Sequence, residues 1–266
     1  MNINFKMMSL NFCFIGAGNL ATQVSHTFVN KGYKIVQVYS HTEKSAKILA
    51  DKVHCSYTTS TSEINKTADV YFVALKDSVL EEVLSLIDFQ NKLVVHCSGS
   101  LPLSVLEKYS KNTGVFYPLQ TFSKKRTIDF YSVPIFIESN STHNEAILFR
   151  LAEKISNSVF ILNSDKRKKV HIAAVFACNF VNHFYTIASE ILKEGNISFE
   201  VLKPLILETA QKVQKMNPEK VQTGPAVRFD KNIISDHLNV LKEKSEIREL
   251  YKTLSESIFE YHKKLK

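Results

Sequence analysis

The amino-acid sequence predicts an α/β protein with a doubly wound parallel sheet in its N-terminal part and an all-helical C-terminal part. Up to about residue 163, short apolar runs alternate with amphipathic segments, which is typical of parallel strands covered by helices on both faces. A turn containing two glycines follows the first apolar run directly. After residue 164 the apolar spacing is helical throughout. We therefore expect two domains, residues 1–163 and 164–266.

Each element of this prediction depends on its own pattern. Apolar runs rich in β-branched and aromatic residues predict strands at 10–15, 34–39, 70–75, 93–96, 115–117, 133–138 and 159–162. Amphipathic spacing predicts helices at 19–31, 42–51 and 78–87. In the C-terminal part, helical spacing covers 165–193, 198–215 and 230–262, interrupted by breakers at 217–218 and 223–225.

Composition argues against several classes of protein. The 266-residue chain is 44% hydrophobic and 23% charged, and its net charge of +8 is spread along the sequence. No nucleic-acid motif accompanies this charge, so we expect no nucleic-acid partner. We also expect no membrane association, because no apolar run approaches about 20 residues and the N-terminus does not resemble a secretory signal. The four cysteines show neither C-x-x-C nor zinc-ligand spacing, which indicates reduced thiols, no metal site and a cytoplasmic location.

The strongest motif is a strand that runs into G-x-G-x-x-A and then into a helix, the pattern of a Rossmann-type dinucleotide site. Gly16 allows the tight turn, and Gly18 lets the backbone approach a pyrophosphate. The amides of the following helix N-terminus then face the phosphates. A plain tight turn is the alternative. The predicted cofactor contacts in this turn are Gly16, Ala17, Gly18, Asn19 and Leu20.

The end of the second strand indicates which cofactor is bound. NAD-preferring sites usually place a carboxylate there, on the ribose 2′-hydroxyl. This chain has Ser40, His41 and Thr42 instead, which can donate hydrogen bonds to a 2′-phosphate or offset its charge. Thr42 in the role of a helix cap is compatible with either cofactor. We therefore predict NADP(H).

Two further turns follow strands that end at the same edge of the sheet, where ligands bind in such folds. Leu75 and Lys76 are expected to contact the cofactor through their backbone, while the neighbouring Asp77 is expected either to cap the next helix or to take part. Ser98 and Gly99 form a small turn that can approach a nicotinamide ring. For these two residues, an ordinary strand-to-helix turn is the alternative.

Polar residues in an apolar setting mark the helical part. His171 and Asn179 lie eight residues apart on one predicted helix, about two turns, so we expect them near the same side. Such groups must be hydrogen-bonded, either to another helix or to a ligand. Arg228 lies in a later loop and suits a planar anion, or is a surface arginine in a helix-connecting loop.

Together these motifs resemble a family of bacterial Rossmann-like NADP oxidoreductases that have a helical C-terminal domain and no assigned reaction. The resemblance covers nearly the whole chain. It rests on FIGAGNLA, VALKD, HCSGSLP, YPLQTFS, HIAAVFACNF and TGPAVRFD. In the last of these the family usually has glycine where Phe229 stands. More distantly, the plan is similar to pyrroline-5-carboxylate reductases and β-hydroxyacid dehydrogenases, whose helical domain dimerises and closes the site.

In β-hydroxyacid dehydrogenases a lysine on the long helix does acid chemistry, with an asparagine one turn on. This chain has no lysine in the apolar part of that helix. His171 is the nearest substitute, and Asn179 matches the asparagine. The resemblance therefore implies a catalytic set of His171, Asn179 and Arg228. His171 would be the acid–base, because imidazoles titrate near neutral pH. Asn179 would orient substrate or nicotinamide, and Arg228 would hold a substrate carboxylate.

These observations predict an NADP(H)-dependent oxidoreductase that moves a hydride to or from a small carbonyl, hydroxyl or imine compound. A non-catalytic NADP(H)-binding or sensing protein is the alternative, which the missing lysine favours. The apolar faces of the helical part, which include Ile172, Val175, Phe176 and Phe180, need a partner surface. Because two-fold dimers are the commonest solution, we expect a homodimer built mainly from residues after 164.

Overall fold

The computed structural model describes residues 10–126 and 128–265, which form two compact units. The first unit extends to Ala177, and the second begins at Cys178. This division falls inside a long helix that begins at Ser164, whereas the sequence analysis sets the domain boundary just before that helix. The two units are described separately below.

The first unit is built on an eight-stranded sheet with the order β3-β2-β1-β4-β5-β6-β7-β8. Its strands are β1 (Asn11–Ile15), β2 (Lys34–Tyr39), β3 (Ser56–Thr58), β4 (Val70–Val73), β5 (Leu93–His96), β6 (Asn112–Pro118), β7 (Ile135–Ser139) and β8 (Val159–Ile161). All neighbours pair in parallel except β6 with β7. Strand β1 lies inside the sheet, with the parallel strands β2 and β4 on its two sides. The predicted doubly wound parallel sheet is confirmed.

Two features of the sheet differ from the prediction. The three-residue β3 is absent from the predicted strands, because so short an edge strand shows no periodic pattern. The antiparallel pairing of β6 with β7 was also not predicted. A parallel pair needs a crossover connection, usually a helix, but the described residues between these strands form only a short 3₁₀ turn at Phe130–Ser132. The chain therefore reverses direction here.

Helices cover both faces of this sheet. They are α1 (Asn19–Asn30), α2 (Glu43–Val53), α3 (Asp77–Leu84) and α4 (Thr142–Glu153). In β1, Phe12 and Phe14 join one buried apolar cluster, while Cys13 and Ile15 join another. Since successive side chains of a strand point to opposite faces, β1 is buried on both sides. This burial holds the end of β1, and the glycine turn after it, in one position.

The C-terminal part is helical throughout its described residues, as predicted. Helix α5 (Ser164–Ala174) belongs to the first unit. A π-helical turn (Val175–Phe180) follows, and then come α6 (Val181–Glu194), α7 (Lys203–Lys215), α8 (Pro218–Val221), α9 (Pro225–Arg228), α10 (Lys231–Val240) and α11 (Ser245–Lys263). The π turn was not predicted. It interrupts the 3.6-residue period that the expected alignment of His171 with Asn179 assumes.

The continuous helix Ser164–Glu194 is 31 residues long and has a mean hydropathy of 1.2 over 18 residues. By length and composition alone it is long and apolar enough to cross a membrane. The sequence predicted no membrane association because no apolar run approaches about 20 residues, whereas a mean over 18 residues tolerates polar residues such as Asn179 and His183. One such helix is weak evidence for a membrane span, and none of that window is buried within the described chain.

Phe229 stands at a backbone position where glycine is the favoured residue. It follows α9 with a φ of 51°, in the left-handed region that L-residues rarely adopt. Its ring stacks on that of Phe259, with 4.3 Å between the ring centroids. This contact offsets part of the backbone strain, so the bulky residue is tolerated at the end of α9.

Candidate functional site

A cleft of about 250 Å³ opens at the carboxyl edge of the sheet in the first unit. The structure brings five predicted site residues together around it: Leu20, Leu75, Ser98, Gly99 and His171. The other lining residues include Asp77, for which the sequence left a cap or a site role open, and Cys97 and Tyr117, which were not assigned to the site. The loops after β1, β4 and β5 therefore converge as expected for a doubly wound sheet.

The two glycines of the first turn are needed for different reasons. Gly16 has a φ of 117°, and a Cβ built on it would lie 2.4 Å from the carbonyl oxygen of Ala74. Gly18 has an extended backbone that any residue can adopt, and no described atom lies within 4 Å of its virtual Cβ. The space beside Gly18, at the N-terminus of α1, therefore fits a pyrophosphate.

Asn19 supports this turn through its side chain. Its Nδ2 atom donates to the carbonyl oxygen of Phe122 at 2.9 Å, and Gln23 donates to the carbonyl of Ser123. These bonds hold the segment after β6 against α1. The backbone N–H groups of Ala17, Asn19 and Leu20 make no hydrogen bond among the described residues and can be offered to a phosphate.

The tip after β2 carries no acid. The N–H of Thr42 donates to Ser40 Oγ at 3.4 Å, and Thr42 Oγ1 lies 3.0 Å from His41 Nε2. Thr42 occupies the position before α2 but makes no side-chain capping bond. The next residue, Glu43, accepts a hydrogen bond from Tyr57 at 3.3 Å. The hydroxyls and the imidazole of this tip thus suit a 2′-phosphate.

Asp77 is a site residue rather than a helix cap. Helix α3 begins at Asp77, and the exposed Lys76 holds the capping position without a side-chain bond. Asp77 Oδ2 instead accepts a hydrogen bond from Ser98 Oγ at 3.0 Å across the cleft. The same Ser98 oxygen accepts the N–H groups of Ser100 and Leu101, each at 3.1 Å. The turn that follows β5 is therefore rigidly organised.

Tyr117 and His171 form a pair below this turn. The hydroxyl of Tyr117 lies 2.9 Å from His171 Nδ1. A Cβ on Gly99 would approach His171 Nδ1 to 2.6 Å and Tyr117 Cζ to 2.7 Å, so only glycine fits there. Burial raises the pKa of Tyr117, and the charge of Arg167 partly opposes this. The phenol therefore keeps its proton at neutral pH.

Two other groups near the cleft are chemically inert at neutral pH. Burial raises the pKa of the Cys97 thiol to about 12, so Cys97 is not a nucleophile. Burial, with a smaller effect of Arg167, lowers the pKa of His96 to about 3, so its imidazole stays neutral. His96 Nδ1 accepts the N–H of Ser98 at 3.1 Å.

The other two predicted catalytic residues lie in the second unit. Asn179 is an exposed residue of the π turn, and Arg228 is the exposed last residue of α9. Neither makes a side-chain hydrogen bond within the described part of that unit. Their roles toward a substrate stay predictions.

Two family models match the chain. One, described as "NADP oxidoreductase coenzyme F420-dependent", matches residues 11–99, which include the glycine turn and the turn after β5. The other, described as "Domain of unknown function (DUF2520)", matches residues 133–258. The two models therefore cover most of the sheet and the helical part separately.

Solved structures and curated proteins that are similar to this chain include further oxidoreductases. The "putative NADP oxidoreductase" of Bacteroides fragilis is 47% identical over 96% of this chain and 99% of that chain, with a TM-score of 0.91. An imine reductase of Myxococcus stipitatus, solved with NADP⁺, is 13% identical over 96% and 93%, with a TM-score of 0.67, and is similar in fold alone. A pyrroline-5-carboxylate reductase of Pasteurella multocida is 30% identical over 38% of this chain, a match that spans 40% of that protein. The prediction of NADP(H) is thereby confirmed.

Proposed function

The chain belongs to a family of NADP oxidoreductases, and we propose that it moves a hydride between NADP(H) and a small carbonyl, hydroxyl or imine compound. NADP(H) supplies or accepts the hydride when it is bound. The turns at Gly16–Leu20 and Ser40–Thr42 would hold its phosphates. The turns at Leu75–Lys76 and Ser98–Gly99 would hold its nicotinamide end.

The Tyr117–His171 pair is the observation that carries this proposal. The Tyr117 hydroxyl can donate to Nδ1 of a neutral imidazole, and it can accept from Nδ1–H of an imidazolium. The contact therefore persists in both protonation states of His171. No other hydrogen bond of His171 occurs among the described residues, so Nε2 is available to the cleft. A proton is given or taken at Nε2, next to the turn that would face the nicotinamide.

Asn179 and Arg228 complete the proposed set. An amide suits the orientation of a carboxamide or a substrate oxygen, and a guanidinium suits a planar carboxylate. A cytoplasmic location is part of the same proposal, and it is supported by four free cysteines.

A turnover screen tests the proposed function. Oxidation of NADPH is followed at neutral pH with panels of imines, keto acids and aldehydes. At least one class should give turnover that saturates with substrate. Tight NADPH binding without turnover on any panel would support a non-catalytic NADP(H)-binding protein instead.

The acid-free tip after β2 predicts a cofactor preference. Each hydrogen bond to a charged group contributes about 1.5–3 kcal/mol, so NADPH should bind about 10- to 100-fold more tightly than NADH. Fluorescence titration measures both affinities. Ser40→Asp should reduce the preference, whereas Ser62→Asp, on an exposed turn, should not. An equal affinity for the two cofactors would contradict the assignment.

We also propose a homodimer formed through the helical part. Neither α6 nor α7 has a single buried residue in the described chain, although both carry large apolar side chains. Leu205 and Leu207 are each about 60% exposed. Light scattering at micromolar concentration should give twice 30.3 kDa. Leu205→Glu should give monomers, while Ile48→Glu, an exposed apolar site in the first unit, should not. A wild-type monomer would refute the proposal.

A further inference from the structure

Arg167 is the largest side chain that is fully buried, with 1% of its surface exposed. It forms an ion pair with Glu138 on β7 and donates to the carbonyl oxygen of Leu101. It lies one helical turn before His171 on α5. It therefore connects three parts of the first unit: β7, the segment after the Gly99 turn, and the helix that carries His171.

Ser164 strengthens the same connection. Its backbone N–H donates to Glu138 Oε1 at 3.0 Å, and its hydroxyl donates to Glu138 Oε2 at 2.8 Å. The hydroxyl oxygen also accepts the N–H of Leu103 at 2.9 Å. The first turn of α5 is therefore bonded both to β7 and to the chain that leaves the Gly99 turn.

This connection has little freedom where it meets the cleft. Three hydrogen bonds hold the turn. His96 Nδ1 accepts the N–H of Ser98, Ser98 Oγ accepts the N–H of Leu101, and Arg167 donates to the carbonyl oxygen of Leu101. Gly99 packs directly against the Tyr117–His171 pair, with no room for one added carbon atom. A small displacement of the turn, or of the first turn of α5, would therefore change the contact between Tyr117 and His171.

Stability alone is a weak reason for a buried arginine at this position. Removing two charges from water costs about as much as their attraction returns, and apolar replacements of buried ion pairs are often equally stable. The Nε atom of Arg167 also has no hydrogen-bond partner among the described residues. What a guanidinium supplies, and an apolar side chain does not, is a planar fork that bonds two groups in fixed directions.

We propose that Arg167 is a positioning residue that fixes the Ser98–Leu101 turn relative to α5 and thereby sets the contact between Tyr117 and His171. It acts through these residues and does not touch the substrate. Its effect on turnover rests on the proposed function, whereas its effect on the Tyr117–His171 contact does not.

The test uses full-length protein labelled with ¹⁵N-histidine. The ¹⁵N resonance of His171 Nδ1 is assigned by its loss in His171→Asn, and its chemical shift reports the hydrogen bond to Tyr117. The Tyr117→Phe variant gives the chemical shift of the same atom without that bond. Arg167→Met and Arg167→Lys should shift the resonance toward the Tyr117→Phe position. Arg150→Met, an exposed arginine of α4, should not. Turnover should fall about 10²-fold, the effect of a misplacement of about 1 Å.

The lysine variant guards against loss of folding. It keeps a charge beside Glu138 but lacks the planar fork, so it should fold even if the methionine variant does not. Folded variants that keep the wild-type Nδ1 resonance, and lose only thermal stability, would overturn the proposal. If no substrate is found, the resonance alone decides the positioning role, and the turnover screen decides the function separately.

Discussion

Gly18→Val should leave the protein folded and nearly abolish binding of NADPH. The backbone at Gly18 is extended and its virtual Cβ meets no described atom, so the apo protein has room for a larger side chain. The same space is where a pyrophosphate would approach the amides at the N-terminus of α1. Loss of two charged hydrogen bonds, each about 1.5–3 kcal/mol, lowers affinity about 10²- to 10⁴-fold.

The measurement pairs fluorescence titration of NADPH with thermal unfolding of the apo protein. Gly16→Ala is the contrasting variant. Its added Cβ would lie 2.4 Å from the carbonyl oxygen of Ala74, and the φ of 117° at this position is one that L-residues rarely adopt. It should lose at least about 2 kcal/mol of stability. Gly18→Val should keep the wild-type melting temperature within a few degrees. If the Gly18→Val protein binds NADPH with wild-type affinity, the cofactor phosphates are not bound at this turn.

The sequence could predict the parts of the fold that depend on local pattern. β1 alternates Phe12 and Phe14 with Cys13 and Ile15, is apolar on both faces, and leads straight into the glycine turn. Its central position follows from those features. The reversal between β6 and β7 and the π turn at Val175–Phe180 could not be predicted. Both depend on hydrogen bonds that no residue spacing specifies.

The site likewise contains residues that the sequence predicted and residues that it missed. Ser98 and Gly99 were predicted from their residue types and from the edge on which their strand ends, and His171 was predicted from the polar residues of the long helix and the family resemblance. Tyr117 was missed, although it lies in the last part of β6, at the same edge as the turn after β5. That position was the available signal. Its role depends on contact with a helix distant in sequence, 54 residues later, which only the fold brings near.

Asp77 was left open between two roles, and Arg167 was missed, for a related reason. An aspartate at a helix start has a common local explanation as a cap, but here its carboxylate bonds Ser98 on another loop. An arginine within a run of lysines is usually solvated. Arg167 instead is buried with Glu138, while its neighbours on α5 are exposed. Residue type alone does not show which member of a basic cluster is buried.

His171→Ala should reduce turnover about 10²- to 10⁴-fold, the range for loss of a general acid, and leave NADPH affinity nearly unchanged. The affinity should be preserved because the proposed phosphate contacts lie in the turns after β1 and β2, whereas His171 is assigned to the substrate side. Steady-state rates and fluorescence titration measure the two effects.

His171→Asn separates acid chemistry from positioning. Its side-chain oxygen can accept the Tyr117 hydroxyl in place of Nδ1, but the amide does not titrate. If His171 is the acid, both variants should lose turnover alike, while Tyr117→Phe should lose about 10-fold, the effect of one hydrogen bond. His143→Ala, an exposed histidine of α4, is the control and should not change. An asparagine variant with normal turnover would assign the proton transfer to another group or to water.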